Sequence, residues 1–486
     1  MAVYPPDDNL YARWRHASSR VAELRETPQR PPPERLLQVM WLHQRLLRDQ
    51  LTTLDGRKIR VLHPGFWNRE AGPDFRQAVL QFNDAPPVTG DVEVDLFTAG
   101  WRGHRHDRNP AFSKVVLHVV WNDDQKNLPN FPTLALEKFL DAPLDELALW
   151  LGSEAATDFP FALSGQCSAP LRDLAPAELE IILNQAALVR LQRKAHDLQA
   201  RARQVGWQQS LWEGIFRALG YKHNSWPMLR VAEMIPPLRA PDLSTLQWQA
   251  RLFGLSGLVP EAVSARTSGG KYLRQLWEIW WREREKFAEA VLPKNLWRFH
   301  GLRPANRPER RLALAAAWLA DRKFFPTLEQ WFKSELAGAA LATDLLQKLQ
   351  APDDPFWSCQ WTFHSARFSK PQPLIGAARV TDLAVNVILP WFWARAASVN
   401  NTAPQQIAEQ RYFSWPQAES NAVLELAGQR LLGSRRACPR TAAAQQGLLQ
   451  IVRDYCDHSN AICQNCLFPT LVKQWHADKS KRDART

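Results

Sequence analysis

The chain has 486 residues, of which 45% are hydrophobic and 23% charged, a composition typical of a folded protein and not of a disordered one. At this length two or three packed units are expected. Sixty-one basic residues against 49 acids give a net charge of +12, which favours polyanionic partners such as nucleic acid. Apolar runs are too short for a membrane helix, and the first residues are acidic where a secretory signal is basic and then apolar. We therefore expect a cytoplasmic protein with no membrane association.

The first part of the chain predicts a helix followed by strands. Pro33 precedes "ERLLQVMWLHQRLL", whose apolar residues recur at helical spacing. Four short, partly alternating runs follow, separated by Gly, Pro and Asp, and these are typical of strands: "KIRVLHPG", "FRQAVLQF", "GDVEVDLF" and "KVVLHVVW". We interpret residues 1–150 as a mixed α/β domain, which makes the fold class α+β.

The rest of the chain is mainly helical in its pattern. Long amphipathic segments, beginning with "APAELEIILNQAALVRLQRKAHDLQARARQ", predict a helical domain over residues 171–430. A cysteine-bearing unit is expected at 431–475. The charged residues 476–486 predict a disordered tail.

One short segment of the first domain concentrates titratable side chains. Asp74 follows Pro73 immediately before a predicted strand, and Glu93 and Asp95 lie two residues apart on the next strand, so their side chains face the same way. If the two strands pair, Asp74 approaches the same face. Three converging carboxylates repel one another unless a proton or a cation neutralises them. Because hard ions prefer oxygen ligands, the pattern predicts a Mg²⁺ site held by Asp74 and Glu93.

A basic segment follows this acidic one along the chain. His104 and His106 are interleaved with Arg102, Arg105 and Arg108 just before the last predicted strand. Arginines bind phosphate groups, and an imidazole can transfer protons near neutral pH. We therefore expect the three arginines to contact nucleic acid. The candidate catalytic residues are Asp74, Glu93, Asp95, His104 and His106.

The order of these residues resembles the PD-(D/E)XK nuclease superfamily, whose core is a helix, three strands, a helix and a further strand. Its motif is Pro-Asp, a gap, and then acid-x-Lys. Pro73-Asp74 and Glu93-Val94-Asp95 match in order, but Asp95 stands where the family has lysine. That lysine orients or activates the attacking water, and aspartate lacks its charge. The short-patch mismatch-repair endonucleases use histidines near the site instead, which is the role that His104 or His106 would take.

Nearly the whole chain also resembles an uncharacterised bacterial family known only as a domain of unknown function. The N-terminal matching pieces are "AGPDF", "GDVEVDL" followed by W-x-x-H-x-H, and "VVLHVVW". Later pieces are "ALGYKHN", "RLFGLSGL", "LRPANRPERRL" and "QGLLQIVRDYC". This resemblance supports the domain boundaries and leaves the reaction open.

Four cysteines near the C-terminus have the spacing C-x17-C-x6-C-x2-C: Cys438, Cys456, Cys463 and Cys466. Such thiolates can bind Zn²⁺ or an iron–sulfur cluster. The last three resemble part of the cluster motif of the endonuclease III-type DNA glycosylases, although the cysteine expected further on is missing. Some PD-(D/E)XK nucleases carry a cluster with one distant cysteine ligand, and here that ligand is Cys438 or Cys167, with His458 as a further candidate.

Each motif also has a plainer interpretation. Asp74 can be a turn acid, Glu93 and Asp95 can lie on the solvent face of an edge strand, and the cysteines can be ordinary thiols in a reducing cytosol. The arginines of "LRPANRPERRL" can contact phosphate, form a solvated face or pair with carboxylates.

Two functions of different class follow from these patterns. The first is a metal-dependent nucleic-acid-processing enzyme that hydrolyses phosphodiester bonds, with DNA preferred over RNA as its substrate. The second is a nuclease-like core without activity, which serves as a nucleic-acid-binding or assembly scaffold and is stabilised by zinc or an iron–sulfur cluster. Asp95 favours the scaffold, whereas the carboxylates and histidines favour the enzyme.

Overall fold

A computed structural model describes most of the chain. The described residues are 9–19, 32–68, 72–123, 129–144, 147, 165–221, 223–260, 270–299, 302–433, 439–456 and 466–483. The strands are β1 (Ile59–His63), β2 (Phe66–Trp67), β3 (Phe75–Phe82), β4 (Val88–Phe97), β5 (Val115–Asn122) and β6 (Thr133–Ala135). Three helices share this part of the sequence: α1 (Leu10–Ser19), α2 (Glu34–His43) and the single-turn α3 (Gly100–Gly103).

Helices make up nearly all the regular structure after β6. The first of these are α4 (Ser168–Arg172), α5 (Pro176–Val205), α6 (Trp207–Leu219), α7 (Ser225–Glu233), α8 (Ile235–Leu238), α9 (Thr245–Leu255) and α10 (Gly270–Glu283). The next are α11 (Pro308–Ala320), α12 (Phe324–Lys333), α13 (Gly338–Leu349), α14 (Ala377–Leu383) and α15 (Leu389–Ser398). The last are α16 (Thr402–Ser414), α17 (Ala422–Leu432), α18 (Ala442–Ile451) and α19 (Phe468–Asp483). None of the helices in the described residues is long and apolar enough to cross a membrane.

The strands form one mixed sheet in the order β1-β3-β4-β5-β6, with β2 paired to β3. Pairing is antiparallel from β1 through β4, whereas β4–β5 and β5–β6 are parallel. A mixed sheet followed by helices confirms the predicted α+β class. Parallel neighbours need a crossover connection, and residues 98–114 make the one between β4 and β5. That crossover contains α3 and the predicted basic segment.

Helix α2 packs on one face of the sheet. Its buried apolar residues share a core with Val92 and Val94 of β4. Because successive side chains on a strand point to opposite faces, Glu93 and Asp95 point away from that core, toward the crossover. Strand β4 lies between β3 and β5, so the interpretation of these acids as the solvent face of an edge strand is wrong.

The helical region builds the largest hydrophobic core, and this core also includes Leu62 and Val79 of the sheet. Two arginines of α11 are part of its interior. Arg310 is 1% exposed and donates to the carbonyls of Trp357 (2.6 Å) and Gln360 (3.0 Å), while Arg311 donates to that of Leu374 (2.7 Å). Neither arginine is available to phosphate, since both are buried against backbone carbonyls.

Buried ion pairs also join the N-terminal part to the helical region. Arg48, in the loop after α2, lies 3.0 Å from Glu213 of α6, and Arg201 of α5 lies 2.7 Å from the same carboxylate. Arg45 likewise pairs with Asp141 (2.8 Å) and Asp197 (2.5 Å). These contacts fix the sheet against α5 and α6.

The first and last helices of the chain pack together. Tyr11 and Trp14 of α1 share a core with Phe468 of α19, and the Tyr11 hydroxyl donates to Asp454 at 2.8 Å. Helix α1 therefore packs with the C-terminal unit, although its sequence position had placed it with the sheet domain. Helix α19 continues to Asp483, within the segment whose composition predicted a disordered tail.

Candidate functional site

The predicted acidic residues meet where β3 begins beside β4. The Asp74 backbone N–H donates to Glu93 Oε2 at 3.1 Å. The Asp74 side chain accepts in turn from the Val94 backbone N–H at 3.2 Å and from Gln38 Nε2 of α2 at 3.0 Å. These bonds fix Asp74 next to Glu93, as strand pairing predicted. A shift in the β3–β4 register follows directly, with Gln77 in the left-handed region at φ 57°.

Asp95 lies between two histidines. Its Oδ1 is 3.1 Å from His104 Nδ1, and its Oδ2 is 2.9 Å from His118 Nε2. Asp95 and His118 are both buried, whereas 57% of the His104 side chain is exposed. His118 therefore orients the carboxylate from beneath, and His104 covers it from the solvent side.

His106 lies against aromatic rings. It stacks on Phe112 with centroids 4.0 Å apart and lies 5.5 Å from the Trp101 ring. Its Nε2 is 3.1 Å from Glu93 Oε1, yet this buried nitrogen makes no hydrogen bond within the described residues. A buried polar atom without a hydrogen bond is costly, so the position of His106 needs a further explanation.

The crossover backbone brings both histidines to the acids. Gly100 passes so close to Asp95 that a Cβ there would lie 2.6 Å from its Oδ1, and only glycine permits this approach. Arg105, between the histidines, adopts the left-handed conformation at φ 61°. Such strain is tolerated where the surroundings fix it, and it is frequent at functional sites.

Burial raises the pKa values of Asp74 and Glu93. The pKa of Asp74 rises to about 7 through burial, with the charges of Glu34 and Asp95 adding to the shift. That of Glu93 rises to about 9 through burial, reinforced by Asp74 and Asp95. Burial similarly raises the pKa of Glu34, and it lowers that of His106. A bound cation would offset the repulsion that produces part of these shifts.

Three side chains are placed to share an ion. Donor atoms of Asp95, His104 and His106 all lie within 4.8 Å of one another. Among the residues that the structure describes, this is the one group of three or more histidine, cysteine or acidic side chains close enough to share an ion. Glu93 adjoins it through His106.

The predicted arginines lie on the same crossover as His104 and His106. Arg102, Arg105 and Arg108 are all exposed on the crossover. A cavity of about 1300 Å³ in the helical region, lined by Trp207, Phe332 and other residues, includes none of the site residues. Glu93 and Asp95 are buried, whereas His104 and the three arginines of the crossover are exposed.

The sequence interpretation missed three residues that contact or influence the acids. Gln38 binds Asp74, Glu34 is close enough for the charge of Asp95 to raise its pKa, and His118 binds Asp95. His118 had a usable signal, because it is the single polar residue within the apolar run "VVLHVVW", and a buried polar side chain needs a partner. Nothing in the pattern of α2 indicated Glu34 or Gln38.

The cysteine site is only partly within the described residues. Cys438, Cys463 and His458 lie outside them. Cys456 is buried in the C-terminal core with Cys167, and Cys466 packs against the same core. All three thiols thus border one core, but among the described residues their sulfur atoms do not form a group close enough to share an ion, and the metal prediction stays a prediction.

Comparison with family models gives a match over residues 34–421, to a family described as a protein of unknown function, DUF2851. The chain belongs to the DUF2851 family. The match includes the whole acidic and histidine cluster and most of the helical region of this DUF2851 protein. Comparisons with curated proteins and with solved structures found no match.

Proposed function

We propose that this DUF2851 protein is a metal-dependent nucleic-acid-processing enzyme that hydrolyses phosphodiester bonds. The observation that carries the proposal is the convergence of the three acids with His104 and His106 at one end of the sheet. The order of elements along the chain also supports the proposal, because it is similar to that of the PD-(D/E)XK core: helix α2, antiparallel strands through β4, the turn α3 and the parallel strand β5. Nucleic acid, with DNA preferred over RNA, is the substrate class that this order and the basic surroundings support.

Each group in the cluster has a role under this proposal. Asp74 and Glu93 hold a divalent ion, for which Mg²⁺ is the ion of the nuclease superfamily, and the ion supplies Lewis-acid stabilisation of charge on the phosphoryl oxygens. His104 is exposed beside Asp95, where its imidazole can take a proton from water or give one to the leaving oxygen. The exposed arginines contact phosphates next to the scissile one.

The alternative is a scaffold that binds nucleic acid without cleaving it. It is favoured by Asp95, which stands in place of the family's lysine and has one oxygen against His104 and the other against His118. Within the described residues, none of the hydrogen bonds or ion pairs of these acids involves a lysine.

An assay on single-stranded, duplex and branched DNA and on RNA tests both functions. With Mg²⁺ or Mn²⁺ we expect cleavage, and binding that weakens with salt. Replacing Arg105 by Gly, which keeps its left-handed backbone, should lower the slope of log affinity against log salt by about 0.7–0.9 if one phosphate contact is lost. Exposed Arg239, in the helical region, gives the control Arg239→Gln, for which no change is expected.

The outcomes separate the candidates. Salt-sensitive binding without cleavage of any substrate favours the scaffold. Failure to bind any nucleic acid at low salt removes both candidate functions.

The C-terminal cysteines support a second metal centre, which we propose to be a structural zinc or an iron–sulfur cluster. The spacing of Cys456 and Cys466 with Cys438 and Cys463 supports the proposal, and metal ligands of this kind stabilise the unit that carries them. We expect anaerobically purified protein to contain zinc or iron by plasma spectrometry, and Cys466→Ser to lose it and to unfold more readily. Structural metal sites bind their ions strongly. Less than about a tenth of an equivalent of zinc or iron per chain would therefore rule the centre out.

A further inference from the structure

Two separations within the cluster match those between ligands of a single ion. Ligand atoms at about 2.0–2.2 Å from an ion, with about 90–109° between them, lie about 2.8–3.6 Å apart. His104 Nδ1 is 3.1 Å from Asp95 Oδ1, and His106 Nε2 is 3.1 Å from Glu93 Oε1. Both spacings therefore fit neighbouring positions around a metal.

The orphaned nitrogen of His106 gives an independent reason for an ion. Its Nε2 is buried beside an acid and makes no hydrogen bond within the described residues, so a metal would supply the partner it lacks. His118 contacts the other oxygen of Asp95, Oδ2, at 2.9 Å. Partners of this kind orient metal-binding side chains and increase their affinity for the ion.

The ligand types then decide which ions fit. Mg²⁺ prefers oxygen ligands in near-octahedral geometry and keeps several waters, whereas imidazole nitrogen suits first-row transition ions. Two imidazoles and two carboxylates make a mixed nitrogen and oxygen set.

We infer that Asp95, His104 and His106, with Glu93 beside them, form a binding site for a first-row transition ion of the series from Mn²⁺ to Zn²⁺. The inference rests on the proposed function in that it names the ion of the same cluster. It replaces the Mg²⁺ on Asp74 and Glu93 that the acids alone predicted, and it makes His104 a ligand in place of the proton-transfer role given above. The imidazoles make the site selective, since they disfavour Mg²⁺. His118 is a positioning residue, because it acts through Asp95.

The inference is tested by measuring the binding of Mn²⁺ to the full chain. Electron paramagnetic resonance reports this binding as a loss of the free-ion signal. Mn²⁺ is the probe because the cysteines, as thiolates, prefer softer ions. We expect a site that Zn²⁺ empties at lower concentrations than Mg²⁺ does. His106→Phe keeps the ring stacked on Phe112 but removes the nitrogen, and it should weaken Mn²⁺ binding by at least about 100-fold, more than the about 10–100-fold expected for His118→Ala.

The control is His364→Ala, which removes an exposed histidine of the helical region and should leave Mn²⁺ affinity unchanged. Equal affinity in wild type and His106→Phe, or displacement of Mn²⁺ by equimolar Mg²⁺, would overturn the inference. Histidine-dependent binding without cleavage of any nucleic acid supports the ion site and removes the proposed hydrolysis. Mg²⁺-dependent cleavage at the wild-type rate in His106→Phe would support the proposed hydrolysis and overturn the ion site inferred here.

Discussion

Glu93→Gln is expected to abolish metal-dependent cleavage of nucleic acid while leaving binding largely intact. The substitution keeps the shape of the side chain, which contacts His106 and the Asp74 backbone, and removes the carboxyl group that ionises to bind a cation. Loss of an ion that stabilises the transition state costs several kcal/mol, which places the rate below detection. His104→Ala should slow cleavage by about 10²–10⁴-fold if its imidazole transfers the proton.

The matched control is Asp91→Asn on the same strand. Asp91 is buried like Glu93, but its Oδ1 accepts from the Gln77 backbone N–H at 3.0 Å, a bond that the asparagine oxygen retains. Single-turnover cleavage and filter binding, measured on wild type and the variants, compare rate and affinity. If Glu93→Gln cleaves at the wild-type rate, Glu93 has no role in the reaction.

The metal-free stability of Glu93→Gln separates a chemical effect from unfolding. The pKa of Glu93 is raised to about 9, chiefly by burial, against an ordinary value near 4.3 in the unfolded chain. Between these two pKa values the folded state holds a proton that the unfolded state releases. The contribution of Glu93 to stability is therefore complete below about pH 4.3 and is lost as the pH rises toward 9. In the presence of a chelator, Glu93→Gln should match wild type at acid pH and exceed it in thermal stability at alkaline pH.

Glu213→Gln is expected to lower the free energy of unfolding by about 3–5 kcal/mol, the loss typical when one partner of a buried ion pair is removed. Glu213 is 4% exposed and faces Arg201 and Arg48, whose side chains are 11% and 12% exposed. Glutamine leaves two nearly buried guanidinium groups without that charge. Urea denaturation followed by tryptophan fluorescence measures the change.

Asp49→Asn is the control, because Asp49 pairs with the same Arg201 at 3.2 Å but is 64% exposed. Exposed pairs contribute about 0–1 kcal/mol, so this variant should unfold almost as wild type does. A Glu213→Gln loss no larger than that of Asp49→Asn would show that the network between sheet and helices contributes little.

The sequence by itself determined the elements of the N-terminal part and the acids that meet there. Alternating apolar residues marked the strands, since each has one face to bury, and the two-residue period put Glu93 and Asp95 on one face. The turn Pro73-Asp74 marked the start of β3. If the two strands pair, Asp74 lies beside Glu93.

Only the tertiary structure decided which distant residues complete the cluster. His118 comes to Asp95 because β5 is parallel to β4, and Gln38 comes to Asp74 because α2 packs across the sheet. Neither pairing leaves a periodic pattern in the sequence. Arg310 shows the same limit. Its motif allowed a phosphate contact, a solvated face or a carboxylate partner, yet the side chain lies buried on backbone carbonyls. Local patterns follow from the geometry of one element, whereas such contacts depend on how separate elements pack.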